Sequence, residues 1–116
     1  MDLSTELCGI KLKNPLVLAS GPLSWSAASI QAAFAAGAAA VTTKTIRRTP
    51  TINPVPHIAV AGRGGLLNTE LCSDLTLEDW VERELPALAD RDGVLIVNAG
   101  QTADEVAELV GPLVEA

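Results

Sequence analysis

A chain of 116 residues is long enough for one modest domain with its own core, and its abundant Ala, Val and Leu with few aromatics suit an α/β protein. A formal net charge of −6 argues against general nucleic-acid binding, and no apolar run reaches the roughly 18 residues needed to span a bilayer. The opening Met1-Asp2-Leu3-Ser4 lacks the pattern of a signal peptide, so a cytoplasmic location is expected.

Leu3 to Leu12 alternates around Cys8-Gly9 and reads as a short hairpin. Asn14-Pro15 punctuates the chain, and Leu16-Val17-Leu18-Ala19 is a wholly apolar run suited to a strand covered on both faces. Ser20-Gly21-Pro22 ends it. Ser24 or Ser26 can cap a helix continuing through Phe34, with Gly37 placed as its C-terminal stop. Ala38 to Thr43 reads as a second buried strand, closing on Lys44-Thr45. The connection that follows holds Pro50, Pro54, Pro56, Gly62, Gly64 and Gly65; it is irregular, with room for a short extended pair. Thr76 and Asp79 resemble a capping box for a second helix, which Pro86 kinks or ends. Asp92-Gly93 marks a turn before a third buried strand, Val94-Leu95-Ile96-Val97. After Asn98-Ala99-Gly100, Thr102 and Glu105 form a capping box for a third helix running to about Val114.

A hairpin followed by three strand–helix units implies right-handed βαβ connections and a parallel sheet. In such sheets ligands sit at the carboxyl ends of the strands. The candidate chemical groups fall there: Ser20-Gly21, Lys44-Thr45 and Asn98.

Ala19-Ser20-Gly21 offers small side chains and backbone that a flat ring can approach, without the spacing of a nucleotide-binding glycine loop; a plain structural turn is the alternative. Lys44, closing an apolar strand, either meets an anion or snorkels its amine to solvent. Asn68 can donate and accept toward a heterocycle edge, or bond its own backbone in a turn. Cys72 and His57 have no evident partner base and do not support nucleophilic catalysis, and Cys8 and Cys72 make neither a disulfide framework nor a zinc site. Asp90 and Asp92 mark a solvated turn.

Charge is segregated. No acid lies between Leu7 and Thr69, where Lys11, Lys13, Lys44, Arg47, Arg48 and Arg63 stand; from Glu70 onward twelve acids face only Arg83 and Arg91. Either acidic helices happen to lie late, or the Lys44 to Arg63 stretch faces an anionic ligand.

Taken in order, the motifs resemble one family. Asn14-Pro15-Leu16-Val17-Leu18-Ala19-Ser20-Gly21 is similar to the NPxxxASG start of class 1 dihydroorotate dehydrogenases, and Ala36-Gly37-Ala38 through Thr43-Lys44-Thr45 to their AGA…TKT segment. Asn53-Pro54-Val55-Pro56-His57 resembles NPxPR, with His57 where arginine is usual. Leu67-Asn68-Thr69-Glu70-Leu71 is closer to the N-x-E-L of dihydropyrimidine dehydrogenases than to N-x-M-G-L.

The resemblance implies an FMN-dependent (β/α)8 barrel that passes a hydride between a pyrimidine ring and the flavin. By it, Ala19, Ser20, Gly21, Lys44, Thr45 and Asn98 would lie by the cofactor, and Lys44, Asn68, Glu70 and Leu71 by the substrate. The family's catalytic cysteine follows the fourth strand and its phosphate site uses the last barrel units, so both are expected beyond Ala116. The resemblance therefore implies that residues 1–116 are the first three βα units of one barrel domain, binding FMN weakly or not at all unless completed by a complementary chain or an oligomer. Dihydroorotate is the leading substrate, uracil or thymine its rival, and a non-catalytic α/β interaction module the competing class.

Overall fold

The computed structural model describes residues 1–116. Strands β1 (Thr5–Leu7) and β2 (Ile10–Leu12) form the expected antiparallel hairpin. Its turn residues Cys8 and Gly9 both have positive φ, 50° and 81°, as a type I′ turn demands. β3 (Val17–Leu18) follows, and a tight turn at Pro22–Ser24 leads into α1 (Ala27–Ala35). Of the two cap candidates Ser26 is the N-cap, its hydroxyl accepting from the Ser29 N–H, while Ser24 folds back on Gly21. Gly37, at φ 107°, stops α1 in a Schellman arrangement: its N–H bonds Phe34 O at 2.9 Å and the Ala38 N–H bonds Ala33 O at 3.1 Å.

β4 (Ala40–Thr42) is followed by the long connection, which contains an antiparallel hairpin of β5 (Ile58–Ala61) and β6 (Gly65–Asn68). α2 (Leu77–Asp79) starts on the reciprocal Thr76–Asp79 box, both bonds 3.0 Å long. The Thr76 N–H, together with the Thr76 hydroxyl, holds the Asp79 carboxyl below its ordinary pKa. The helix then widens into a π-turn over Trp80–Glu84, where the Leu85 N–H reaches Trp80 O, and ends in a 3-10 turn at Pro86–Leu88. Proline has no N–H and crowds the carbonyl four residues back, so a wider turn just before Pro86 relieves the clash.

β7 (Val94–Ile96) and α3 (Ala103–Glu115) complete the chain. Thr102 caps α3 by accepting from the Glu105 N–H, but the expected box does not close: the Glu105 carboxylate turns to the Gln101 N–H and to Arg47 and Arg48 instead.

β3, β4 and β7 form one parallel sheet in that order, with Val17, Ala40 and Val94 in register and Leu18, Val41 and Leu95 beside them. Ile30 and Phe34 of α1, Val41, Ile46, Trp80 and Leu88 make the main core. A Cβ on Gly93 would lie 2.5 Å from the Phe34 ring, so only glycine lets α1 sit this close to the start of β7. Leu12 packs on Ala39 and Ala40 with Val94 nearby, so the first hairpin covers the N-terminal ends of the strands and leaves the C-terminal ends free.

No barrel is closed, and β3 and β7 are both open edges. The molecule is a slab of 44 × 42 × 25 Å with a radius of gyration of 15.2 Å, against about 13 Å for a close-packed globule of its length. Large apolar side chains including Leu16, Leu23, Val60 and Leu66 face solvent. No helix is long and apolar enough to cross a membrane.

The charge segregation has a cause in the fold. Lys13 pairs with Asp92, Lys44 with Glu70, Arg47 with Glu105 and Arg48 with Glu108, each ion pair joining the basic half to the acidic half. The expectation that the Lys44 to Arg63 stretch faces an anionic ligand is corrected at Lys44, Arg47 and Arg48: the chain's own acids neutralise them.

Candidate functional site

The C-terminal ends of the three parallel strands converge on one amide. Asn98, just after β7, donates through Nδ2 to Thr45 Oγ1 at 2.8 Å and to Ser20 Oγ at 3.3 Å. Its orientation is set from below, because the Asn98 N–H donates to the Oγ1 of buried Thr43 at 3.0 Å and its carbonyl accepts from the Ile46 N–H at 2.8 Å. Ser20, Thr45 and Asn98, each from a different strand end, thus form one hydrogen-bonded row. Ser20 and Ala19 are exposed, and a Cβ on Gly21 would meet no atom within 4 Å, so the space over the first strand end is open. Gly21 itself has extended backbone, at φ 167°, and is not required by strain.

Lys44 does not snorkel. It is only 2 % exposed, and its Nζ lies 2.7 Å from Oε2 of Glu70, whose side chain is 7 % exposed. An unpaired ammonium could not be held there, since the desolvation cost is several kcal/mol (order of magnitude). The geometry is that of a charge contact, for no hydrogen bond of acceptable angle reaches Glu70 Oε2. The other carboxylate oxygen, Oε1, lies 3.8 Å from His57 Nε2, beyond hydrogen-bonding length.

Glu70 is carried to Lys44 by a clamp that sequence inspection did not single out for this role. Asn53 accepts from the Leu71 N–H at 2.7 Å and donates to Cys72 O at 3.0 Å. Next along, the Ser73 N–H bonds Thr45 O, Ser73 O accepts from the Thr51 N–H, and the Ser73 hydroxyl accepts from the buried Trp80 indole at 3.0 Å. The segment after β6 is thereby stitched to the end of β4. Asn68 behaves locally: its Oδ1 accepts from the Glu70 N–H at 2.9 Å, the turn alternative, and its side chain is exposed. Leu71 is 63 % exposed.

Beside this site lies a cavity of about 600 Å³, whose wall includes Trp25, Thr51, Asn53, His57, Glu70 and Asp74. Of the remaining candidates, Cys72 is buried against Gln101 and Arg47 at sulfur contacts of 3.1 and 4.0 Å, part of the network around Glu105. The Arg47 side chain, then the Arg48 N–H, pull the Glu105 carboxyl from 4.5 to about 2. The same hydrogen bond raises the Arg47 guanidinium above its ordinary value. This network fastens α3 to the loop after β4.

No family model matches the chain. Among curated proteins it is 34 % identical over 110 residues to the dihydroorotate dehydrogenase B (NAD(+)) catalytic subunit of Geobacter sulfurreducens, covering 93 % of this chain and 36 % of that protein. The same-named subunit of a Geobacillus species is 35 % identical over 109 residues, 92 % of this chain and 34 % of its own length. That of Pelobacter propionicus is 33 % identical over 116 residues, 98 % and 38 % respectively. The chain is a homologue of part of the dihydroorotate dehydrogenase B catalytic subunit. It spans a little over a third of the length of these relatives. The dihydroorotate dehydrogenase resemblance carried by the Asn14–Gly21 and Thr43–Thr45 motifs is therefore borne out at the level of family.

Proposed function

We propose that residues 1–116 are the first three βα units of a single (β/α)8 barrel domain, and that they form the flavin-ring and substrate side of an FMN-dependent dihydroorotate dehydrogenase. The observation that carries this is the meeting of Ser20, Thr45 and Asn98 at the strand carboxyl ends, with Lys44 beneath, in a chain homologous to that enzyme. The residues fit the ring side of FMN. Space over Gly21 is open, and the Ser20–Thr45–Asn98 row supplies hydroxyls and an amide to a planar ring's edge. They do not fit its phosphate, because Lys44, Arg47 and Arg48 already have carboxylate partners.

When bound, FMN would accept or return the hydride. The chain's own residues do the positioning: Asn98 fixes the relative placement of the first, second and third strand ends, and the Asn53 clamp holds Glu70 against Lys44. Glu70, with Asn68 and Leu71 beside it, would face the pyrimidine. We assign no general base within these residues. With both sheet edges open, the remaining strands must come from another segment or chain, and the 116-residue chain by itself is expected to bind FMN weakly and to show no turnover.

The test is complementation. The chain is refolded with FMN and the remaining portion of the Geobacter sulfurreducens subunit, and flavin absorbance is followed on adding dihydroorotate. Bleaching that requires both pieces supports the proposal. Flavin uptake without any reduction by a pyrimidine would refute it.

A further inference from the structure

The geometry points to a proton-operated latch at the base of the β5–β6 hairpin: protonated His57 closes onto Glu70 and ties the arm to the end of β4, and neutral His57 releases it. The inference goes beyond the flavoenzyme reading and does not rest on it, because every group involved belongs to the unliganded chain. His57 immediately precedes β5 and Glu70 follows β6 by two residues, so the two face each other where the arm joins the body. There the Thr69 N–H donates to His57 O at 2.8 Å, fixing the His57 backbone to the arm. Whatever holds the His57 ring therefore holds the base of the arm. The arm has little else to hold it, for its strands pair only with each other and Val60 and Leu66 face solvent.

Glu70 is placed to receive the ring. Its side chain is 7 % exposed, and Lys44 at the end of β4 stands 2.7 Å from Oε2. The other oxygen, Oε1, accepts no hydrogen bond from the chain and has His57 Nε2 at 3.8 Å. A largely buried carboxylate oxygen without a donor is costly. A charge-assisted N–H···O bond is about 2.8 Å long, so an approach of about 1 Å completes it. The His57 ring is 41 % exposed and Val55, two residues earlier, is 92 % exposed, so little packing opposes that movement. Once closed, Glu70 bridges Lys44 and His57 through its two oxygens and links β4 to the arm. The surrounding charges make the bridge depend on a proton. Besides Glu70 and His57, the ionisable group on the wall of the adjoining cavity is Asp74, from the segment before α2, and Lys44 is the cation behind it. With His57 neutral, two carboxylates face one ammonium; with the imidazolium, two face two. Imidazoles ordinarily take up their proton at about pH 6.5, so the contact is present below that pH and lost above it.

Amide hydrogen exchange, followed by NMR on the isotope-labelled 116-residue chain, reads the latch directly. Each amide's rate is compared with its intrinsic rate at the same pH, so that protection and not base catalysis is measured. Lowering the pH from about 7.5 to about 5.5 spans the ordinary imidazole range and stays above the ordinary carboxylate one. The expected result is a gain of about fivefold in the protection of the hairpin amides, Ile58–Ala61 and Gly65–Asn68, with the β4 amides unchanged. His57→Gln, at a half-exposed position that the core does not need, should stay flat at the lower level. His57→Arg, charged throughout, should stay flat at the higher one. Equal hairpin protection at both pH values, including free exchange at both, would overturn the latch. So would a gain that survives in His57→Gln, since the proton would then act at Glu70 or Asp74. A gain shared equally by β4 would overturn it too, by showing that the whole chain and not the arm is stabilised.

Discussion

The parallel sheet and the β5–β6 hairpin are both built from apolar runs, and they bury them to very different extents. Val41 of the central strand is fully buried between α1 and the second helical region, whereas Val60 and Leu66 of the hairpin are 78 % and 72 % exposed. The sheet's strand ends are tied together through Thr43, Asn98 and Ser73, while the hairpin is held mainly by its own ladder and by the Thr69 N–H bonded to His57 O. A two-stranded hairpin is marginal by itself in water. Stability in this molecule is therefore concentrated where the site's inner residues are anchored.

Substitutions on the two sides of this contrast should differ by an order of magnitude. Trp80→Ala removes a fully buried indole and its bond to Ser73; we expect a loss of about 4 kcal/mol in denaturant unfolding, enough to unfold a marginal domain. Glu70→Leu strands a buried Lys44 and should cost about 3 kcal/mol, and adding Lys44→Met should recover most of it, because the pair's worth lies in mutual neutralisation. A double variant no more stable than the single one would show that the pair does something other than balance charge.

Glu105 gives a pH signature. Its folded pKa, about 2, lies below the ordinary 4.5, so its contribution is present at neutral pH and is lost as pH falls from about 4.5 toward 2. The stability gap between the wild type and Glu105→Gln should be full at neutral pH and vanish in that window. A gap independent of pH would mean that the Arg47 pairing is not its source. Thr76→Ala, which deletes one arm of the α2 capping box, should lower the melting midpoint by the equivalent of about 1 kcal/mol. Val60→Thr, on the exposed hairpin, should change stability by less than about 0.5 kcal/mol, and a larger loss would reveal a packed hairpin.

Local chemistry explains why much of the fold was legible in the sequence. The Cys8-Gly9 turn, the Gly37 stop and the Thr76–Asp79 box each depend on residues within a few positions of one another, and each has the structure its residues demand. The Thr102–Glu105 box was misread because a local pattern met a tertiary competitor: Arg47 and the Arg48 N–H offer Glu105 a charged and doubly bonded alternative. Asn68 makes the turn contact that its sequence position allows, its Oδ1 accepting from the Glu70 N–H two residues on.

By itself, then, the sequence determined the alternation of strands and helices, the caps and turns that punctuate it, and the placement of Ser20, Lys44 and Asn98 after apolar strands. Only the tertiary structure decided that Lys44 is neutralised by Glu70, that Asn98 bridges Ser20 and Thr45, and that Asn53 clamps the segment between them. Periodicity and capping act over one or two turns of chain, but a buried charge takes its partner from whichever distant segment the fold brings within 3 Å or so, where the low dielectric makes that partner indispensable.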